Sequence, residues 1–194
     1  MKKAIKASSG KATKKAAKKG KGKGKFNVYV TGERIFTNAK AAFDLYSQSR
    51  YGESLKGKVY YSFAEAFSLF EKGKVNVYLD RKKLNHNSFM KEAIIREPNF
   101  WTRYTVYNDL RSRGYIVKTA LKFGADFRVY EKGVKPGEDH AKWIVYPVYE
   151  ASNMTWHEFA AKNRVAHSTK KNLLIAIVDD EGDVTYYEVK WLRP

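Results

Sequence analysis

The spacing of apolar and polar positions sets in abruptly at Phe26. Phe26 to Val30 is mostly apolar and β-prone and reads as a strand. Thr31-Gly32 makes a turn, and Arg34 to Thr37 returns as a second strand. Asn38 is placed to cap a helix running to about Gln48, with Ala42, Phe43 and Tyr46 inward. Lys58 to Tyr61 is a short strand. Ser62 caps a helix in which Phe63, Ala66, Phe67 and Phe70 fall at i, i+3, i+4 and i+7, and Gly73 stops it. Val75 to Leu79 is a strand, and Asn87 to Arg96 a helix that ends before Pro98. Residues 26–97 thus form a small mixed α/β unit.

A second unit spans 98–194. Phe100, Tyr104, Tyr107 and Leu110 make a helical stripe closed by Gly114. Tyr115 to Lys118 and Asp126 to Tyr130 read as strands. Residues 131–141, with Gly133, Pro136 and Gly137, form a loop. Lys142 to Tyr149 is a strand made edge-like or bulged by Pro147. Thr155 opens a helix reaching roughly Arg164. Leu173 to Val178 is a continuous apolar run, as in a strand covered on both faces. Residues 179–183 turn, and Val184 to Leu192 is the last strand. Helices around a mixed sheet follow from that order, an α/β fold class.

Composition changes the picture at the start of the chain. Of 194 residues, 38 are Lys or Arg and 20 are Asp or Glu, a formal charge of +18. Eleven of the lysines lie in residues 1–25, which hold no acid. That tail has almost nothing to bury, so it reads as a disordered segment outside both units. Two roles stay open for it: a counterion-releasing arm on nucleic acid, or a solubilising tail. The excess of positive charge points to a polyanionic partner, most often nucleic acid. Without cysteine, disulfides, thiolate zinc sites and cysteine nucleophiles are excluded. No apolar run approaches the ~18 residues of a membrane helix, and no signal-peptide core follows the basic start, so a cytoplasmic location without membrane contact is expected.

Candidate chemistry lies in the second unit. Metal-free RNA cleavage needs a base for the 2′-hydroxyl, an acid for the leaving oxygen and a cation for the phosphorane charge. Tyr130, His140, Lys142, Lys170 and Lys171 lie on loops and strand ends and supply those types. A rival pattern is Asp179 with Glu188-Val189-Lys190, in which two carboxylates would hold Mg²⁺ and a lysine orient water. The same residues also read as a hairpin turn followed by one solvent face of a strand.

The run Tyr115-Ile-Val-Lys-Thr-Ala-Leu-Lys-Phe-Gly-Ala-Asp-Phe-Arg-Val-Tyr130, then His140, then Arg164-Val-Ala-His-Ser-Thr-Lys-Lys-Asn-Leu-Leu-Ile-Ala-Ile-Val-Asp179, and finally Trp191 and Arg193, resembles the archaeal tRNA-splicing endonucleases. The resemblance covers residues 98–194 closely. It is looser in the first unit, where Arg50-Tyr51-Gly52-Glu53 precedes the Phe63 helix. The lysine tail is not part of it. Tyr130, His140 and Lys171 keep the family's spacing of tyrosine, histidine and lysine.

The resemblance implies a small N-terminal α/β domain followed by a restriction-endonuclease-like nuclease domain. It implies excision of introns from precursor tRNA at a bulge–helix–bulge, leaving a 2′,3′-cyclic phosphate and a 5′-hydroxyl, with no metal or cofactor. Tyr130 matches the residue that takes the 2′-hydroxyl proton, His140 the general acid, and Lys171 the cation that steadies the transition state. A phenol ordinarily ionises near pH ~10, so the first role calls for a cationic neighbour. Arg164 matches an arginine that clamps a flipped-out base, with Trp191 or Arg193 as its partner. The acidic turn of Asp179, Asp180, Glu181 and Asp183 matches a loop that docks on another subunit, and Leu173 an apolar interface residue. Two assemblies remain open, a homotetramer and a heterotetramer with a structural subunit. So does the alternative that the chain is itself a non-catalytic RNA-binding subunit.

Overall fold

A computed structural model describes residues 24–137 and 139–192. Most of the lysine tail, Glu138, Arg193 and Pro194 lie outside the described residues.

The first unit is built on a six-stranded sheet. In chain order its strands are β1 (Phe26–Thr31), β2 (Arg34–Thr37), β3 (Glu53–Leu55), β4 (Lys58–Tyr61), β5 (Val75–Leu79) and β6 (Lys82–Lys83). In space the order is β3-β4-β2-β1-β5-β6, with β1 and β5 parallel and the other pairs antiparallel. The short strands β3 and β6 have no apolar alternation, so the sequence pattern does not show them. They exist because β4 and β5 offer free edges close by in the chain.

Three helices belong to this unit: α1 (Lys40–Ser49), α2 (Phe63–Glu71) and α3 (His86–Arg96). The start of α1 differs from expectation. Ala39, not Asn38, is its N-cap, without a side-chain cap bond. The Thr37 hydroxyl accepts the Ala39 N–H at 3.2 Å instead. In α2, Ser62 and Glu65 cap each other reciprocally, which satisfies two N-terminal donors at once. α3 starts one residue ahead of the expected Asn87, because Asn85 accepts from the Ser88 N–H at 2.9 Å.

The second unit opens with α4 (Phe100–Ser112). Its strands are β7 (Ile116–Thr119), β8 (Phe127–Tyr130), β9 (Trp143–Tyr149), β10 (Asn172–Val178) and β11 (Val184–Val189), in spatial order β11-β10-β9-β8-β7. A 3-10 turn, Leu121–Phe123, joins β7 to β8, and α5 (Trp156–Ser168) joins β9 to the parallel β10. Helix α5 outruns the expected Arg164 by a turn. β9 lies inside the sheet, yet β8 stops pairing at Val145, so Pro147 has a ladder partner only in β10. That local edge is what a residue without an N–H requires.

Alternation sorts the second sheet into two faces. Val117, Phe127, Val129, Val145, Ala176 and Val178 face α4 and share one core with the first unit, through Phe67, Phe100, Tyr104 and Tyr107. Ile144, Tyr146, Leu173 and Ile175 form a smaller core with Ala166 of α5. β10 is thus covered on both sides, as its apolar run demands. Leu173 is fully buried in this second core. Within the single chain that burial leaves it no exposed surface.

The two units are also joined by polar groups. The Arg111 guanidinium of α4 lies 4.0 Å over the Tyr51 ring and donates to the Ser49 carbonyl at 2.9 Å. Burial alone would raise the Tyr51 phenol, but Arg111 and Lys72 hold it below the usual tyrosine value. The Lys118 ammonium of β7 is buried against the Gly52 carbonyl and lies 3.8 Å from Glu65. Gly52 has φ +71°, and a Cβ there would stand 2.7 Å from the Tyr60 carbonyl oxygen. Backbone cannot yield as a flexible side chain can. Gly52→Ala is therefore expected to cost about 2 kcal/mol or more, read as a lower denaturant midpoint.

Candidate active site

The end of β8, the loop that follows it and the more distant α5–β10 junction meet at one cleft. It encloses about 320 Å³, and Arg128, Tyr130, Asp139, His140 and Lys171 line it.

Tyr130 is delivered by alternation. Phe127 and Val129 turn into the core under α4, so Arg128 and Tyr130 share the opposite face of β8. Tyr130 is 5% exposed, with Ile116 as its neighbour across the ladder. His140 stands at the end of the loop. Gly133 and Gly137 take left-handed conformations that let the chain double back (φ 88° and 95°). The His140 N–H donates to the Asp139 carboxylate at 2.6 Å, and the Lys142 N–H then joins the Val129 carbonyl at 2.9 Å.

Lys171 is set by the way α5 ends. Lys170 takes a left-handed conformation (φ 56°), its N–H bonds the His167 carbonyl, and the Lys171 N–H bonds the Ala166 carbonyl, both at 2.9 Å. This is a Schellman closure with lysine where glycine is usual. It turns the chain straight into β10 and leaves Lys171 half-buried at the cleft. Its ammonium donates to the Thr169 carbonyl at 2.7 Å. Partial burial, then the nearby Arg128 cation, hold Lys171 below the usual lysine value.

Of the five residues offered by the sequence, the cleft brings together Tyr130, His140 and Lys171. Lys142 is drawn away to Glu131 at 2.6 Å, and Lys170 serves the helix end. Sequence reading missed Arg128 and Asp139. Arg128 was findable: two residues before Tyr130 in a strand, it must share that residue's face.

Arg164 is exposed on α5, one helical turn before His167. β11 ends at Val189, so Trp191 lies beyond the strand expected to hold it. The Trp191 ring folds onto the end of α5, 4.3 Å from the His167 ring and nearly perpendicular to it. Arg164 and Trp191 thus flank one histidine that sequence reading did not single out. Arg193 lies outside the described residues.

The carboxylate–metal reading is corrected. Glu188 pairs with Leu174 in the β10–β11 ladder, while Asp179 follows the far end of β10. Five residues at ~3.3 Å each separate them by roughly 16 Å, too far to share an ion. Glu188 instead accepts from Asn172 at 2.6 Å and Trp143 at 3.3 Å, with Lys190 at 3.7 Å. Asp179 closes its own turn, accepting the Asp183 N–H at 2.8 Å. Asp180, Glu181 and Asp183 are exposed there. Among the described residues, no cluster of three or more His, Asp or Glu side chains is placed to hold a metal, and no helix is long and apolar enough to cross a membrane.

A mixed α/β chain with a Tyr–His–Lys cleft that an arginine also lines has the parts of an RNA-cleaving enzyme. Comparison with known proteins agrees. Residues 28–90 match the family model described as tRNA intron endonuclease, N-terminal domain, and residues 100–186 the one described as tRNA intron endonuclease, catalytic C-terminal domain. The tRNA-splicing endonuclease of Thermococcus kodakarensis is 42% identical over 166 residues, 85% of this chain and 97% of that protein. That of Nanoarchaeum equitans is 46% identical over 136 residues, 67% of this chain and 87% of that protein. That of Methanothermobacter thermautotrophicus is 40% identical over 150 residues, 77% and 87% of the two chains. The chain belongs to the tRNA intron endonuclease family and is an endonuclease.

Proposed function

We propose that the chain is the catalytic subunit that excises introns from precursor tRNA at a bulge–helix–bulge, without a metal ion. The observation that carries this reading is the convergence of Tyr130, His140 and Lys171 on one cleft from β8, the following loop and the α5–β10 junction. A non-catalytic subunit would have no need to hold all three there.

Tyr130 takes the 2′-hydroxyl proton. The 2′-oxygen attacks the adjacent phosphorus as the bond to the 5′-oxygen breaks, and His140 gives that oxygen a proton. Lys171 faces the charge gathering on the non-bridging oxygens. The products are a 2′,3′-cyclic phosphate and a 5′-hydroxyl. Arg164 and Trp191 hold a base splayed from the bulge by stacking.

Two cuts at a fixed spacing call for more than one cleft. β11 is an edge strand with Tyr187 55% exposed, a surface suited to pairing with another subunit. The exposed acidic turn at 179–183 suits docking on a basic surface. The enzyme would work in the cytoplasm as a homotetramer or with a structural partner.

The test is cleavage of an intron-containing precursor tRNA by the purified chain in excess EDTA, with end-group analysis. Two cuts leaving cyclic phosphate are expected, and would identify a self-sufficient homo-oligomer. Rescue of an inert enzyme by Mg²⁺ would overturn the metal-free mechanism. Silence with Mg²⁺ present, relieved by a second subunit, would establish the heterotetramer.

A further inference from the structure

The cleft holds one strong cation that the proposed chemistry leaves without a task. Arg128 shares the outer face of β8 with Tyr130 and lines the cleft with His140 and Lys171. Stability does not account for it there. Its direct neighbour across the β7–β8 ladder is another cation, the buried Lys118. Like charges placed opposite each other weaken a sheet. Lys118 is committed to the Gly52 carbonyl and Glu65. Among the described residues, the ion-pair partner left for Arg128 is Glu53 of β3, 3.7 Å away and 61% exposed, a contact of small worth in water. The Arg128 side chain is 30% exposed, and its Nε is buried without a hydrogen-bond partner. Its charge is also felt at Lys171 across the cleft. Asp139, the carboxylate on the cleft wall, accepts the His140 N–H.

We propose that Arg128 binds substrate, gripping the non-bridging oxygens of a phosphodiester in the RNA strand being cut. A planar fork with donors to spare fits two such oxygens, which a lysine point charge does not. Glu53 holds the guanidinium at the cleft mouth until the strand arrives, so the first unit takes part in the site. The proposal rests on the reading of the substrate as precursor tRNA.

The experiment uses the full-length wild-type chain, Arg128→Gln, Arg128→Lys and Glu53→Gln. The probe is an intron-containing precursor tRNA with 2′-deoxy residues at both cut sites, so that it binds without being cleaved. Affinity is measured across a salt series. Losing one phosphate contact makes the plot of log affinity against log salt shallower by about 0.7–0.9. Arg128→Gln is expected to show that change and about tenfold weaker binding at 0.1 M salt. Arg128→Lys should recover the slope without the full affinity. Glu53→Gln removes the same ion pair but keeps the cation, and should keep the wild-type slope. If Arg128→Gln and Glu53→Gln share one wild-type slope, Arg128 is only a tie between the units and the proposal fails. If Arg128→Gln is too unstable to assay, full wild-type affinity at an unchanged slope for Arg128→Lys in a normally melting protein overturns it equally. If the wild-type chain does not bind the probe, the substrate reading falls and takes this proposal with it.

Discussion

His140→Ala is expected to slow single-turnover cleavage of precursor tRNA by about 10²–10⁴, with binding of the uncleaved RNA unchanged. An alkoxide is a poor leaving group, and without a proton on the 5′-oxygen the phosphorane collapses back to starting material. His140 is suited to give that proton because the loop holds it exposed at the cleft, with its backbone N–H anchored on Asp139. Among the described residues, no hydrogen bond or ion pair depends on its side chain, so the variant should fold and melt normally. A modified RNA whose 5′-oxygen is replaced by sulfur separates the roles. Sulfur leaves without protonation, so His140→Ala should cut that substrate at close to the wild-type rate. Lys171→Ala should not be rescued, because the charge it faces develops with either leaving atom. Equal defects on both substrates would remove His140 from the general-acid role.

Glu65→Ala is expected to cost about 3–5 kcal/mol of stability, the largest effect outside the cleft. Glu65 is 4% exposed and serves three partners. It accepts the Gly52 N–H at 3.0 Å and the Ser62 N–H at 3.1 Å, and it lies 3.8 Å from the buried Lys118 ammonium. Removing it ends the α2 capping box, orphans a buried N–H and leaves an ammonium without its counter-charge. Glu65→Gln keeps an acceptor for the donors and should lose less. The pH dependence carries a sign. Burial holds Lys118 below the usual lysine value of 10.5, with Glu65 opposing that shift. The folded chain therefore binds this proton less tightly than the unfolded chain, and stability rises with pH between the lowered value and 10.5. Without the Glu65 charge the folded value drops further, so the variant should regain more stability than the wild type on going alkaline. Denaturant midpoints across that range test it. A flat response would show that folding does not lower the Lys118 value.

Both predictions draw on side chains of very different visibility in the sequence. Tyr130, His140 and Lys171 were each weak alone, since a strand-end tyrosine, a loop histidine and a lysine after a helix are all common. Only the resemblance joined them, and only the sheet explains the joining: β9 and β10 run parallel beside β8, which brings a loop and a helix end to the same edge. Asp179 and Glu188 show the converse. Their spacing suggested one site, but an antiparallel register puts them at opposite ends of a hairpin. The resemblance implies an interface role for Leu173, while within the chain α5 covers it.

By itself the sequence determined what is local. Alternation and helical spacing marked the long strands and helices, because burial of one face is written in the order of residues. The caps at Ser62 and Thr155, the loop at 131–141 and the basic tail were equally plain. The tertiary structure alone decided what depends on pairing between distant segments. It made β3 and β6, which have no pattern of their own and form against an available edge. It set Lys118 against Glu65 and Gly52 across the two units. It put Arg128, which lines the cleft, beside Glu53 of the first unit. Such contacts are set by strand order and register, quantities that belong to the folded chain and have no counterpart in the spacing of residues along it.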